Sequence, residues 1–278
     1  MKRAKRIPYG VSDFIDIIER NQYYVDKTMY IPKLEDEPDA LFFIRPRRFG
    51  KSLFISMLRA YYDIKRKDKF DKLFGNLWIG SHPTENQGKY QVLFLDFSKI
   101  GGTIEQLEEN FNAYCNECID SFMETYQEYY PARVVENVLN AKTAARKLNA
   151  IGIAAEKKNL PLYLIVDEYD NFTNVVLNEQ GEEVYTALTH ASGFYREIFK
   201  VFKGMFSKIF MTGVSPVTLD DLTSGFNIGW HISTKPAFNQ MLGFSTEDVR
   251  ELFTYYKENG EIRPDSDVEA IINEMKPW

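Results

Sequence analysis

Cysteine and histidine are scarce in this chain of 278 residues: two of the first and three of the second. Two cysteines cannot build a disulfide framework or a four-ligand zinc site. His82, His190 and His231 share no sequence neighbourhood and suggest no common centre. Long apolar runs are lacking as well. No stretch approaches the ~18 consecutive apolar residues of a membrane-crossing helix. The basic opening MKRAKRIPYG has no apolar run behind it, so no secretory signal is expected. Nor is positive charge in excess: 34 Lys and Arg face 40 Asp and Glu, a formal net charge of -6. A uniformly basic coat for nucleic acid is thereby excluded, although a local patch is not. Repeats and low-complexity segments are absent. What the chain has in quantity is apolar and aromatic material, 44% hydrophobic residues with 21 Phe and 17 Tyr. A chain of this size can bury roughly three quarters of its unfolded surface without staples. The expectation is a soluble, reduced, cytoplasmic α/β protein of one large domain or two small ones.

Four apolar runs stand out: Leu41 to Ile44, Val92 to Leu95, Leu162 to Val166, and Lys208 to Met211. They are continuous rather than alternating, which predicts strands buried on both faces of a parallel sheet covered by helices. Pro46 stops the first of them. Helical spacing fills the intervals, giving βαβ units with right-handed crossovers. Leu53, Met57, Leu58 and Tyr61 follow Gly50 at three- and four-residue steps. The charged segment 65–75 reads as a surface helix. Residues 104–130 read as one long amphipathic helix, with Leu107, Phe111, Tyr114, Cys118, Phe122 and Tyr126 on a shared face, until Pro131 interrupts. Helical patterns continue over 133–158 and about 182–204. Tyr23 to Val25 reads as a short strand and Gly229 to Ser233 as a short fifth one. Ser245-Thr246-Glu247-Asp248 has the spacing of a capped helix start. Cys115 and Cys118 fall in mid-helix, without the helix N-terminus of a redox motif or a second cysteine pair, and read as core.

In an open parallel sheet, ligands bind beyond the carboxyl ends of the strands. The four runs end there in polar residues: Arg45 and the loop to Ser52, Asp96, Asp167-Glu168, and Thr212. The loop Arg45-Pro46-Arg47-Arg48-Phe49-Gly50-Lys51-Ser52 carries the second half of the phosphate-loop pattern G-x-x-x-x-G-K-S/T, but has Arg45 where the first glycine belongs. Gly50 lets the backbone approach phosphate oxygens. The helix that follows offers unpaired N–H groups and a positive dipole end. Lys51 can reach β- and γ-phosphates, and Ser52 can give its hydroxyl to Mg²⁺. A bare Gly-Lys-Ser/Thr tripeptide occurs by chance in roughly one chain in seven of this length, so a second element has to decide. Leu162 to Val166 followed by Asp167-Glu168 supplies it, as an apolar strand ending in acids. Asp167 is then the metal ligand with Ser52, and Glu168 the residue that orients the attacking water. The bland alternative is that both acids merely cap a strand end. Thr212 is read as a sensor of the terminal phosphate, with a simple turn residue as its alternative. Catalytic roles thus fall to Lys51, Glu168 and Thr212, and nucleotide binding to Arg47, Arg48, Phe49, Gly50, Lys51, Ser52 and Leu53. Arg45, Arg47 and Arg48 either bring positive charge to the γ-phosphate or face solvent and other acids.

The R-P-R-R-F-G-K-S loop, the earlier Tyr24-Val25-Asp26-Lys27-Thr28, Val166-Asp167-Glu168-Tyr169-Asp170, Thr212-Gly213-Val214-Ser215 and Gly243-Phe244-Ser245-Thr246-Glu247 together resemble the bacterial AAA-ATPase-like domain family. The resemblance runs from about Ile7 to Trp278, and in that family arginine stands in place of the early glycine. It implies an α/β P-loop NTPase fold of the additional-strand type, a parallel five-stranded sheet in the order 5-1-4-3-2 with helices on both faces. It implies ATP and Mg²⁺ as ligands. It further implies a P-loop domain over 1–242 and, over 243–278, the start of a C-terminal helical segment. In the family this domain commonly precedes a PD-(D/E)XK nuclease. Trp278 falls inside what reads as a closing helix, and no nuclease signature of spaced acids and lysine is recognisable, as expected of a truncated chain. The leading expectation is an ATP-binding, Mg²⁺-dependent ATPase that switches an attached or partner effector. The alternatives are a nucleotide-binding interaction module with little hydrolysis and, against the charge balance, a nucleic-acid-processing protein. A small-molecule kinase would need a lid and an acceptor site that the sequence does not reveal.

Overall fold

The computed structural model describes residues 4–171, 194–215 and 229–275. Its centre is a five-stranded sheet built from β1 (Ala40–Ile44), β2 (Gln91–Asp96), β3 (Leu162–Asp167), β4 (Lys208–Gly213) and the two-residue β5 (Trp230–His231). All pairings are parallel, and from the β5 edge the strands run β5-β1-β4-β3-β2. Thr212 pairs in register with Phe43, and Asp167 with Asp96. β4 therefore lies between the strand that feeds the Gly-Lys-Ser loop and the strand that ends in Asp167.

The period-2 geometry of strands sends neighbouring side chains to opposite faces and splits the core in two. On one face Phe42, Leu164, Val166 and Met211 pack against α5 (Ile104–Tyr126), α6 (Ala132–Asn140), α7 (Ala144–Lys157) and α8 (Phe194–Met205). On the other, Phe43, Ile165 and Phe210 pack against α1 (Phe14–Glu19), α2 (Tyr30–Glu35), α3 (Lys51–Tyr62) and α4 (Phe70–Phe74). Cys115 is fully buried in the first cluster, and Cys118 packs against it.

Local departures from expectation have local causes. β2 is an edge strand, and its burial alternates instead of being complete. Its N–H groups are used all the same: Val92 donates to Tyr126 Oη at 3.1 Å and Asp96 to Tyr114 Oη at 2.8 Å. Those hydroxyls occupy backbone groups that would otherwise template another strand. The helix expected over 133–158 is two helices. Ala141 and Thr143 are extended, and the Thr143 side chain accepts from Arg146 N–H to start α7. α5 closes at Tyr126 into a 3₁₀ turn before Pro131. The segment 65–75 is a 3₁₀ turn followed by the short α4. Tyr23 to Val25 is not a strand; it joins α1 to α2, two helices the sequence pattern did not reveal. Of the expected 182–204 helix, the part before residue 194 lies outside the described residues.

Past the sheet, α9 (Thr246–Glu258) opens with a full capping box between Ser245 and Asp248, and α10 (Val268–Met275) follows. Lys27 Nζ reaches Asp248 Oδ2 at 2.6 Å, and Tyr23 packs against Tyr255 at 5.1 Å. The segment 243–275 is thereby fastened to the N-terminal segment. No helix of the described residues is long and apolar enough to cross a membrane.

Candidate functional site

The Gly-Lys-Ser loop leaves β1 and curls without its early glycine because Arg48 takes a left-handed φ of 69°. Gly50 is left-handed too, with φ 85°. A Cβ at Gly50 would meet nothing within 4 Å, so glycine is required there for its backbone freedom and not for space. Gly50 caps the twelve-residue α3, and the first helical bond runs from Phe54 N–H to Gly50 O at 3.0 Å. The N–H groups of Lys51, Ser52 and Leu53 therefore face out of the helix start, where they can meet an anion. Lys51 is 5% exposed, and its ammonium donates to the carbonyls of Arg45 at 3.0 Å and Pro46 at 3.1 Å. The loop is folded over its own lysine.

β3 delivers the acids to the same place. Ser52 Oγ donates to Asp167 Oδ2 at 2.7 Å, and Thr212 Oγ1 donates to Asp167 Oδ1 at 2.5 Å. Asp167 Oδ1 also accepts from Glu168 N–H at 3.0 Å. Asp167 and Thr212 are buried, 3% and 1% exposed. Glu168 takes a left-handed φ of 49°. Its carboxyl is raised above the usual carboxylate range by burial and then by the charge of Asp167; Lys51 and Arg47 offset part of this. The Lys51 ammonium is lowered by burial, against the opposing pull of Glu168, Asp167 and Asp170. An acid and a base are thus both displaced from their ordinary ionisation at the same strand ends.

The arginines separate. Arg47 donates to Asn171 Oδ1 at 3.2 Å and so bridges the loop to the acidic strand end, while Arg48 is exposed. Arg45 does not join the phosphate region. Its guanidinium donates to the carbonyls of Ile44 and Ser233, both at 3.0 Å, and lies over the Phe43 ring. It is a strut between β1 and the chain after β5. Asp96 is diverted as well, its Oδ1 accepting from Ser98 N–H and Oγ to form a local turn. Phe49 is 43% exposed and accepts a backbone bond from Gly243 N–H at 3.0 Å, which brings the exposed Phe244 next to the loop. The Asp26-Lys27-Thr28 motif lies elsewhere: Asp26 and Thr28 accept from Trp78 and Ile79 N–H, and Lys27 pairs with Asp248.

Asp170 closes the Val166 to Asp170 motif but is assigned no role from sequence, because one more acid after Asp-Glu has no spacing signature of its own. It is 1% exposed and accepts from the N–H groups of Val214 and Ser215.

A family model described as Predicted AAA-ATPase matches residues 8–223. The chain belongs to the AAA-ATPase-like family. It is also 26% identical over 264 residues to an "Uncharacterized protein in vnfD 5'region" of Azotobacter chroococcum mcd 1, covering 90% of this chain and 45% of that protein. The chain thus spans less than half the length of that relative. The donor set of this AAA-ATPase-like chain fits a magnesium nucleotide. Ser52 Oγ and the Asp167 carboxylate are two hard oxygens side by side, and Mg²⁺ is usually held by one or two protein oxygens plus phosphates and water. Among the described residues no cluster of three or more His, Cys, Asp and Glu side chains is arranged to hold a metal by itself.

Proposed function

We propose that the chain binds ATP and, with Mg²⁺, hydrolyses it in a P-loop site of the additional-strand type, and that this module switches an attached or partner effector, a nuclease being one candidate. The observation that carries the reading is the 2.7 Å contact between Ser52 of the loop and Asp167 of β3, with the Lys51 ammonium buried beside them. The division into a P-loop domain over 1–242 and a helical segment over 243–278, and a cytoplasmic setting, belong to the same proposal.

In this reading Lys51 exchanges the carbonyls of Arg45 and Pro46 for phosphate oxygens, and the helix-start N–H groups hold the anion. Arg47 and Arg48 add charge from the loop, and Phe49 and Leu53 flank the cradle. Ser52 and Asp167 hold the metal, which when bound neutralises charge on the β- and γ-phosphates. Glu168 receives a proton from the attacking water. The water oxygen bonds to the terminal phosphorus while the bond to the bridging oxygen breaks, ADP leaves with that electron pair, and the proton passes on to the phosphate released. Thr212 keeps Asp167 oriented through its hydroxyl. Such catalysis is positioning and electrostatics.

The test is phosphate release at saturating ATP and Mg²⁺, with and without nucleic acid, beside calorimetric binding. Binding and turnover that Lys51→Ala abolishes support the reading. ATP binding without phosphate release would favour a nucleotide-binding interaction module, the alternative consistent with a Glu168 carboxyl that holds its proton more tightly than usual.

A further inference from the structure

We propose that Asp170 and Tyr169 are positioning residues, which hold Glu168 in its left-handed backbone turn and so aim its carboxylate at the attacking water. The inference rests on the hydrolytic reading above and assigns a role to two residues outside the Gly-Lys-Ser and Asp-Glu motifs.

It starts from an outlier. Glu168 has φ 49°, a conformation that non-glycine residues adopt uncommonly and keep only where the surroundings impose it. Those surroundings are a set of bonds between the turn after β3 and the turn after β4. Before Glu168, Asp167 Oδ1 takes the Thr212 hydroxyl at 2.5 Å. After it, Tyr169 N–H donates to Thr212 O at 3.0 Å, and Tyr169 Oη donates to Ser215 O at 2.8 Å. Asp170 completes the set: its Oδ2 accepts from Val214 N–H at 3.0 Å and Ser215 N–H at 2.5 Å. Glu168 is the one residue of this turn whose carboxylate is not tied into these bonds, while both of its neighbours are anchored.

Packing says the same. A Cβ added at Gly213 would lie 2.4 Å from Tyr169 Cε1 and 2.7 Å from Asp170 Oδ1. The two turns touch with no room for a side chain between them. Tyr169 is fully buried, with its ring edge-on to Phe42 at 5.6 Å. Asp170 is a poor candidate for a second base, because its carboxylate already accepts from the backbone N–H groups of Val214 and Ser215. Its position suits a bracket that transmits the geometry of β4 to Glu168.

The experiment uses the full chain and single-turnover phosphate release from labelled ATP with Mg²⁺, beside calorimetric ATP affinity. Asp170→Asn keeps the side-chain shape but replaces one acceptor oxygen with a donor. It is expected to lower the hydrolysis rate about 10- to 100-fold while ATP affinity stays within about threefold, because no residue proposed to touch the phosphates is changed. The deciding comparison is a double-variant cycle with Glu168→Gln. If Asp170 acts through Glu168, the double variant turns over as slowly as Glu168→Gln alone, within about twofold. If the two losses multiply, or if affinity falls as much as rate, Asp170 is not a positioning residue for Glu168 and the proposal is overturned. Tyr169→Phe removes the hydroxyl that donates to Ser215 O and serves where the Asn variant does not fold. Its smaller loss must likewise vanish in the Glu168→Gln background, or the proposal fails. A wild-type chain that releases no phosphate would instead overturn the hydrolytic reading itself.

Discussion

The two ends of the sheet bury polar atoms in opposite ways. At the amino end Tyr62 Oη and Thr84 Oγ1 both donate to Glu35 Oε1, at 3.0 and 2.9 Å, and Thr84 N–H donates to Tyr61 Oη. Tyr62, Tyr90 and Tyr163 pack edge-on or tilted beside this group, and burial pushes the Tyr90 phenol up to about 12. The donors there are hydroxyls and a backbone N–H gathered around a single carboxylate, with no ammonium among them. The carboxyl end sets Lys51 in the electrostatic field of Glu168, Asp167 and Asp170, displaces an acid and a base from their ordinary ionisation, and holds Arg48 and Glu168 in left-handed turns. Hydroxyls gathered on one carboxylate contribute stability. Charge and left-handed backbone gather at the end where the nucleotide is proposed to bind.

The sharpest way to break this contrast is Lys51→Ala, which should weaken ATP binding by at least about 100-fold in calorimetry, since charge-assisted bonds to phosphate are the strong ones. Unchanged affinity would make the carboxyl end as inert as the other. Glu168→Gln should keep ATP and lose about 10²- to 10³-fold in phosphate release. The same variant has a pH signature. A carboxyl whose folded value is raised favours the folded state at acid pH, and that contribution is lost as pH rises through the folded value. Gln should therefore raise the ligand-free melting temperature at pH 7, with the gain shrinking near pH 4; an equal gain at both would remove the charge argument. Thr212→Val, which takes one donor from Asp167, should slow hydrolysis about tenfold at limiting metal, read as a higher Mg²⁺ concentration for half-maximal rate in a metal titration. At the amino end Tyr62→Phe should cost about 1–3 kcal/mol of stability by denaturant titration, with ATP affinity unmoved. A change in affinity there would show that the two ends are coupled. The smallest effect belongs to Lys27→Met. Burial raises the Asp248 carboxyl, but its bonds to Lys27 and Ser245 outweigh this and leave it below the usual range. The pair then stabilises above the ordinary carboxylate pKa and loses that contribution as pH falls through the lowered one. The loss at pH 7 should be under about 1 kcal/mol, and smaller still in acid.

The strands were legible because an apolar run that ends in a polar residue is a local signal. The loop was legible because Gly-Lys-Ser after such a run has a spacing. The cap of α9 could be read from Ser245 and Asp248 alone. The break at Ala141 to Thr143 could not, since nothing in Ala-Lys-Thr forbids a helix and the tertiary packing of α6 and α7 decided it. The partial exposure of β2 was hidden because an edge strand and a central one both read as Val-Leu-Phe-Leu. Arg45 was misleading: its place in the motif suggests phosphate, and only the fold turns it toward Ser233.

By itself, then, the amino-acid sequence determined the parallel α/β class, the strand ends and the chemical types available at them, because periodicity and short motifs act over a few residues. Only the tertiary structure decided which of those groups meet. Ser52 and Asp167 stand 115 positions apart and touch through the neighbourhood of β1, β4 and β3. Asp170 becomes a bracket only because β4 lies between the loop strand and the acidic one. Contacts of that range are set by strand order and register, which no local pattern encodes.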